Sequence, residues 1–178
     1  MKAKEVMENK TDNENAVTHT EPARRRSSGT GEVKVINKVK IMLPSLSVNE
    51  SIARASVAAF CSQLNPAASE IADIKCAVSE AVTNCIVHAY KDTYGTISIT
   101  VKLCEARLVI IEISDRGCGI PDVKQARMPL FTTGANDERS GMGFTVMESF
   151  MDKLRVSSVV GRGTKVTMYK YLKVPEGF

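Results

Sequence analysis

The sequence predicts an α+β sandwich in which one mixed, mostly antiparallel sheet carries its helices on one face. Three observations point there. A period-2 strand leads into two stretches of 3.6-residue apolar periodicity. Two further strands then run back to back across a short turn, and after a long loop one helix precedes two last strands. Helices and strands are therefore grouped rather than strictly alternating.

Each element has its own warrant. Val33, Val35, Val39, Ile41 and Leu43 mostly alternate with Lys34, Lys38 and Lys40, and Pro44 ends this strand. Ser47-Val48-Asn49-Glu50 fits a capping box, with Ser47 as N-cap and Glu50 reaching back. The helix behind it aligns Ile52, Ala55, Ala59, Phe60 and Leu64. Asn65-Pro66 supplies a capping side chain and a first-turn proline to a second helix. That helix is expected to run to about Lys91, burying Ile71, Ile74, Val78, Ala81, Val82 and Cys85. Ile97, Ile99, Val101 and Leu103 alternate in the next strand, and residues 108–114 form a more uniformly apolar one beyond Glu105-Ala106-Arg107. Residues 115–141 are punctuated by Gly and Pro, and a loop of that length is usually functional. A helix resumes near Gly143, and strands 154–160 and 164–172 flank Gly161-Arg162-Gly163.

The 178 residues suit one domain with an appendage. Residues 1–31 hold seven hydrophobic residues, none of them Ile, Leu or Phe, with six basic and five acidic ones. Such a segment buries too little apolar surface to offset the ordering of its backbone, so the expected division is a disordered tail, 1–31, and a domain, 32–178. Within the tail, Arg24-Arg25-Arg26-Ser27-Ser28 reads as a solvated leader or as a docking or phosphorylation site. The net charge of +4 is mild, and aromatics are only 5%, so no basic stripe interleaved with aromatics points to nucleic acid. No apolar run approaches the roughly 20 residues of a membrane helix, and the polar first ten residues do not read as a signal peptide. Five scattered cysteines without a C-x-x-C pair favour a reducing cytoplasm over disulfides or structural zinc.

Three short segments carry chemistry. Glu80, Asn84 and His88 follow at i, i+4 and i+8 along one line of the second helix, away from its apolar stripe. That line reads as a solvated face, or as a base and a magnesium ligand a turn apart, since magnesium takes oxygen donors and accepts few from protein. Asp115-Arg116-Gly117-Cys118-Gly119-Ile120 follows an apolar strand, which suits a turn or a floor approached closely by a planar ligand. Glu138-Arg139-Ser140-Gly141-Met142-Gly143-Phe144-Thr145 opens a helix, where free N–H groups and the dipole form a ready anion site. No Rossmann fingerprint and no G-x-x-x-x-G-K-[ST] is present.

The combination is more specific than its parts. E-x-x-x-N on a helix, D-x-G-x-G after a strand, a long loop, S-G-M-G at a helix start and Gly163-Thr164 on a late strand, in this order, resemble the GHKL ATPase superfamily. Gyrase and histidine-kinase nucleotide domains belong to it. The resemblance implies the Bergerat two-layer α/β sandwich, with nucleotide held beneath a mobile ATP lid. Ser47-Val48-Asn49-Glu50-Ser51-Ile52-Ala53-Arg54, Val78-Ser79-Glu80-Ala81-Val82-Thr83-Asn84, Pro129-Leu130-Phe131-Thr132-Thr133 and the Glu138–Thr145 stretch are similar, within that superfamily, to the anti-sigma factor kinases of endospore-forming bacteria. The likeness covers roughly residues 33–172 and leaves the tail outside.

That resemblance implies an ATP-dependent protein-serine kinase, with ATP or ADP and Mg2+ as cofactors. It implies a sigma factor as the inhibited partner, an anti-anti-sigma factor as the serine substrate, and a homodimer, with no direct nucleic-acid or membrane contact. Position by position, it makes Glu80 the base and Asn84 the magnesium ligand. Asp115 accepts the adenine amino proton, with Gly117, Gly119 and Ile120 shaping that pocket. Thr132, Thr133 and catalytic Arg139 belong to the lid, while Ser140, Gly141, Met142, Gly143 and Phe144 line the triphosphate. Thr164 supports the adenine site, and Arg54 contacts the partner. His88 stays open between a structural hydrogen bond and a phosphate or metal-shell contact. A histidine-kinase reading needs an acceptor histidine, and only His19 in the tail and His88 in the site exist. A nucleotide-gated, sigma-sequestering module without significant kinase turnover is the alternative.

Overall fold

The computed structural model describes residues 33–90, 93–128 and 141–174, all within the compact unit Glu32–Phe178. The expected tail 1–31 lies outside the described residues, as do Thr132, Thr133, Arg139 and Ser140.

Five strands form one sheet: β1 (Val35–Pro44), β2 (Thr96–Cys104), β3 (Leu108–Ser114), β4 (Lys153–Val159) and β5 (Gly163–Tyr171). Their order is β1-β2-β3-β5-β4, and every described pairing is antiparallel, so the sheet is not mixed. Helices α1 (Asn49–Cys61), α2 (Ala68–Asn84) and α4 (Gly143–Phe150) supply one layer, and the short α3 (Val123–Ala126) interrupts the expected loop. The period of 2 puts Ile99 and Val101 of β2, Ile111 and Ile113 of β3, and Val166 and Met168 of β5 on one face. They bury against Ala53, Val57 and Cys61 of α1, Ile74, Val78 and Val82 of α2, and Met147 of α4. Each such large side chain contributes about 1.5–3 kcal/mol on burial. The opposite face is polar, with Glu112 between Lys102 at 3.1 Å and Lys165 at 3.4 Å. Pairing of β3 with β5 sets Ser114 opposite Lys165, so the residues just beyond, Asp115 and Thr164, become neighbours.

Several local expectations need correction. Val39, Ile41 and Leu43 pack on the core, but Val33 and Val35 are exposed, because an irregularity between Val35 and Asn37 breaks the alternation of this edge strand. Among the described residues no side chain caps α1. Glu50 does not reach back to Ser47; it accepts from Ser79 Oγ on α2 and from Arg54 at 2.9 Å. The buried stripe of α1 is Ala53, Val57, Ala58 and Cys61, while Ile52, Ala55 and Ala59 face outward. Small residues allow α1 to approach α2 closely, whereas a reading by side-chain size follows Ile52. Asn65 is left-handed (φ 45) and ends a 3-10 turn instead of capping α2. Glu70 satisfies that helix start by accepting from the Ala67 amide at 2.8 Å, and its other oxygen accepts from Lys173 N at 2.8 Å. The α-helical part of α2 ends at Asn84, and a π turn, Cys85–Ala89, completes it. All five cysteines are free. Among the described residues no helix is long and apolar enough to cross a membrane.

Candidate functional site

A cavity of about 530 Å³ opens between the end of α2, the β3–α3 loop, the start of α4 and the β4–β5 end of the sheet. Glu80 and Asn84, one turn apart on α2, project into it, and His88, an exposed residue of the π turn, joins them. Across the cavity, Gly141, Met142, Gly143 and Phe144 lead into α4.

Gly143 fixes how closely these elements meet. A Cβ there would lie 3.1 Å from Glu80 Oε2 and 3.3 Å from the Asn84 side-chain oxygen and nitrogen. The carboxylate and the amide therefore converge on the first turn of α4. Among the described residues no side chain caps that helix, and its first helical bond runs from Val146 N to Met142 O at 2.8 Å. The amides of the first turn stay available at the positive end of the dipole, which suits an anion. Asn84 presents a hard oxygen donor beside the Glu80 carboxylate, and a single such donor fits magnesium when phosphate oxygens and water complete the octahedron. The described residues hold no cluster of three or more His, Cys, Asp or Glu suited to binding a metal through protein alone.

The far end is built around Asp115, which is only 8% exposed. Its Oδ1 accepts from Gly117 N at 2.9 Å and Thr164 N at 3.2 Å, while its own amide donates to Thr164 O at 3.0 Å. Cys85 Sγ donates to Oδ2 at 3.6 Å. Gly117 lies beneath this floor, where a Cβ would come within 2.0 Å of Ala89 O. The carbonyls at the end of the π turn bond to the loop that follows β3. Ala89 O accepts from Cys118 N at 2.9 Å, and His88 O accepts from Cys118 Sγ at 3.0 Å. Gly119 and Ile120 line the cavity beyond this anchor.

One cavity thus gathers Glu80, Asn84, His88, Asp115, Ile120 and Thr164, with Gly119 and residues 141–144. Arg54 stands apart on α1, partly exposed and paired with Glu50. Sequence reasoning missed Ser158 and the role of Cys85. Ser158 Oγ accepts from Ile120 N at 2.7 Å and sits 2.8 Å from Thr164 Oγ1, tying the floor to β5. Ser158 is part-buried on the inward face of β4 with Leu154 and Val156, but a lone serine on a strand carries no signal of that kind, and Cys85 reads simply as core. A comparably large depression, about 600 Å³ over β4 and β5, collects Arg127, Arg155 and Lys165 around Glu112 and shares none of these residues.

Residues 43–170 match the histidine kinase-like ATPase domain family. Among curated proteins, the chain is 54% identical over 136 residues to an anti-sigma F factor of Caldanaerobacter subterraneus, covering 76% of this chain and 94% of that one. It is 54% identical over 138 residues to the anti-sigma F factor of Clostridium novyi, covering 77% and 96%. Among solved structures, the RsbU and RsbW domains of a Mycobacterium tuberculosis protein share the fold, with a TM-score of 0.59 at 23% identity over 80% of this chain and 34% of that longer one.

Proposed function

The chain belongs to the histidine kinase-like ATPase family and groups with its anti-sigma F factors, and on that premise we propose an ATP-dependent protein-serine kinase that phosphorylates an anti-anti-sigma factor and binds and inhibits a sporulation sigma factor. The observation that carries this reading is the convergence of Glu80 and Asn84 on the first turn of α4, at one end of a cavity whose other end is held by Asp115.

Asp115, fixed through Oδ1, accepts from the amino group of adenine and orients the nucleotide along the cavity. The amides entering α4 hold the phosphate chain by its negative charge. Asn84 offers the side-chain oxygen that would hold Mg2+, which would supply charge neutralisation at the phosphates when bound. Glu80 accepts the proton of the partner's serine hydroxyl as its oxygen bonds to the terminal phosphorus and the bond to ADP breaks. A base in this role is typically worth about 10²–10⁴-fold. Arg139, Thr132, Thr133 and Ser140 complete the phosphate side in this reading. Arg54, outside the cavity, contributes to the surface that meets the protein partners, and two copies of the chain form the active assembly.

The reading is tested by separating binding from transfer. Glu80→Gln retains ATP affinity and loses phosphorylation of the anti-anti-sigma partner. Asn84→Ala loses the magnesium dependence of ATP affinity. Undiminished transfer by the first, or unchanged magnesium dependence in the second, would remove these residues from the mechanism.

A further inference from the structure

We propose that Cys85 is a positioning residue for nucleotide recognition: its thiol donates to Asp115 Oδ2 and holds the carboxylate so that one acceptor site of Oδ2 faces the cavity. The inference rests on the nucleotide reading of that cavity and adds a residue to it.

A carboxylate offers about four acceptor sites. Gly117 N and Thr164 N occupy Oδ1, at 2.9 and 3.2 Å. The Cys85 thiol occupies one site of Oδ2 at 3.6 Å, which leaves one, and both residues line the cavity. Rotation about the terminal carboxylate bond is broad. Two amides on one oxygen and a thiol on the other restrict it from both sides. The thiol has no competing role. Cys85 is 5% exposed, and its Sγ lies 3.6 Å from Asp115 Oδ2, within reach of a thiol that donates to a carboxylate. A thiol is a weak donor, so it orients Oδ2 while leaving it basic enough to accept from a base's amino group. Position matters as well: Cys85 follows Asn84 directly and opens the π turn, so adjacent residues serve the two ends of the nucleotide.

The consequence is selectivity. A base presenting an amino group to Oδ2 gains from a fixed acceptor, whereas one presenting a carbonyl gains nothing. Titrating the full-length chain and its variants with Mg-ADP and Mg-GDP measures this. Cys85→Ala is expected to weaken ADP binding about three- to tenfold, the size of one weak hydrogen bond. GDP binding stays unchanged, so the ADP/GDP ratio falls by that factor, and Cys85→Ser, which restores a donor, recovers it to within about twofold. A folded Cys85→Ala chain with the wild-type ratio, or a serine variant as impaired as the alanine one, overturns the proposal. Infrared spectra keep the test decisive if Cys85→Ala does not fold. The S–H band that Cys85→Ser removes must shift when ADP binds, and a band that does not move refutes the role. A wild-type chain that binds neither nucleotide overturns the underlying reading as well, which sets that failure apart from a failure of Cys85 alone.

Discussion

Replacing Gly143 with alanine sets stability against chemistry at one atom. The added Cβ meets Glu80 Oε2 at 3.1 Å and the Asn84 side chain at 3.3 Å, so both must give by a few tenths of an ångström. Both contacts are the ends of rotatable side chains, and Gly143 has no left-handed φ, so the backbone accepts alanine without strain. Loss of glycine's freedom in the unfolded chain stabilises the fold by about 0.4–1 kcal/mol. That corresponds to a Tm rise of about 1–4 °C for a domain of this size. On the proposed roles, the same displacement moves Glu80 and Asn84 out of their working positions. Since a misplacement of about 1 Å costs roughly 10²-fold, a few tenths should cost about tenfold in phosphoryl transfer. Thermal unfolding and a labelled-phosphate transfer assay on the same preparation read both effects. Wild-type transfer by a folded Gly143→Ala chain would refute the claim that Glu80 and Asn84 act together at the head of α4.

Other perturbations probe the scaffold around the site. Glu70→Ala removes the acceptor for the Ala67 and Lys173 amides, and denaturant titration should show a loss of about 2 kcal/mol. Lys170, whose side chain is 13% exposed, bonds Asp73 at 2.9 Å and Phe150 O at 2.7 Å. Asp73→Ala should therefore destabilise by about 2–3 kcal/mol by stranding that ammonium, while Asp73→Ala combined with Lys170→Met recovers most of the loss. Partial burial pushes Glu112 up, but the Lys102 hydrogen bond and charge, aided by Lys165, outweigh it and hold the carboxyl below its ordinary 4.5. Its stabilisation is therefore complete above that value and disappears as pH falls through the lower folded-state value. Glu112→Gln should flatten that part of the acid limb in pH-dependent unfolding.

The β2 strand was legible from its alternation, β3 from its more uniformly apolar run and β5 from the Gly161-Arg162-Gly163 turn before it, and Ile99, Ile111 and Met168 face the core. The phase of α1 was not, because its seam is made of Ala53 and Val57 while the larger Ile52 faces out. Residue types named Glu80, Asn84 and Asp115, yet only the β3–β5 pairing brings Asp115 to Thr164, 49 positions away. The π turn was invisible for a related reason: its carbonyls matter because of Cys118, a residue on another element. Residue type therefore identified Asp115, and non-local pairing decided that the Thr164 amide shares its Oδ1 with that of Gly117.

The most direct measurement follows the terminal phosphate. The full-length chain, mixed with γ-labelled ATP, magnesium and an anti-anti-sigma partner, should place acid-stable label on a serine of that partner, and Glu80→Gln should abolish it with ATP still bound. Label released only as inorganic phosphate, or held in acid-labile form on a histidine, would contradict the account.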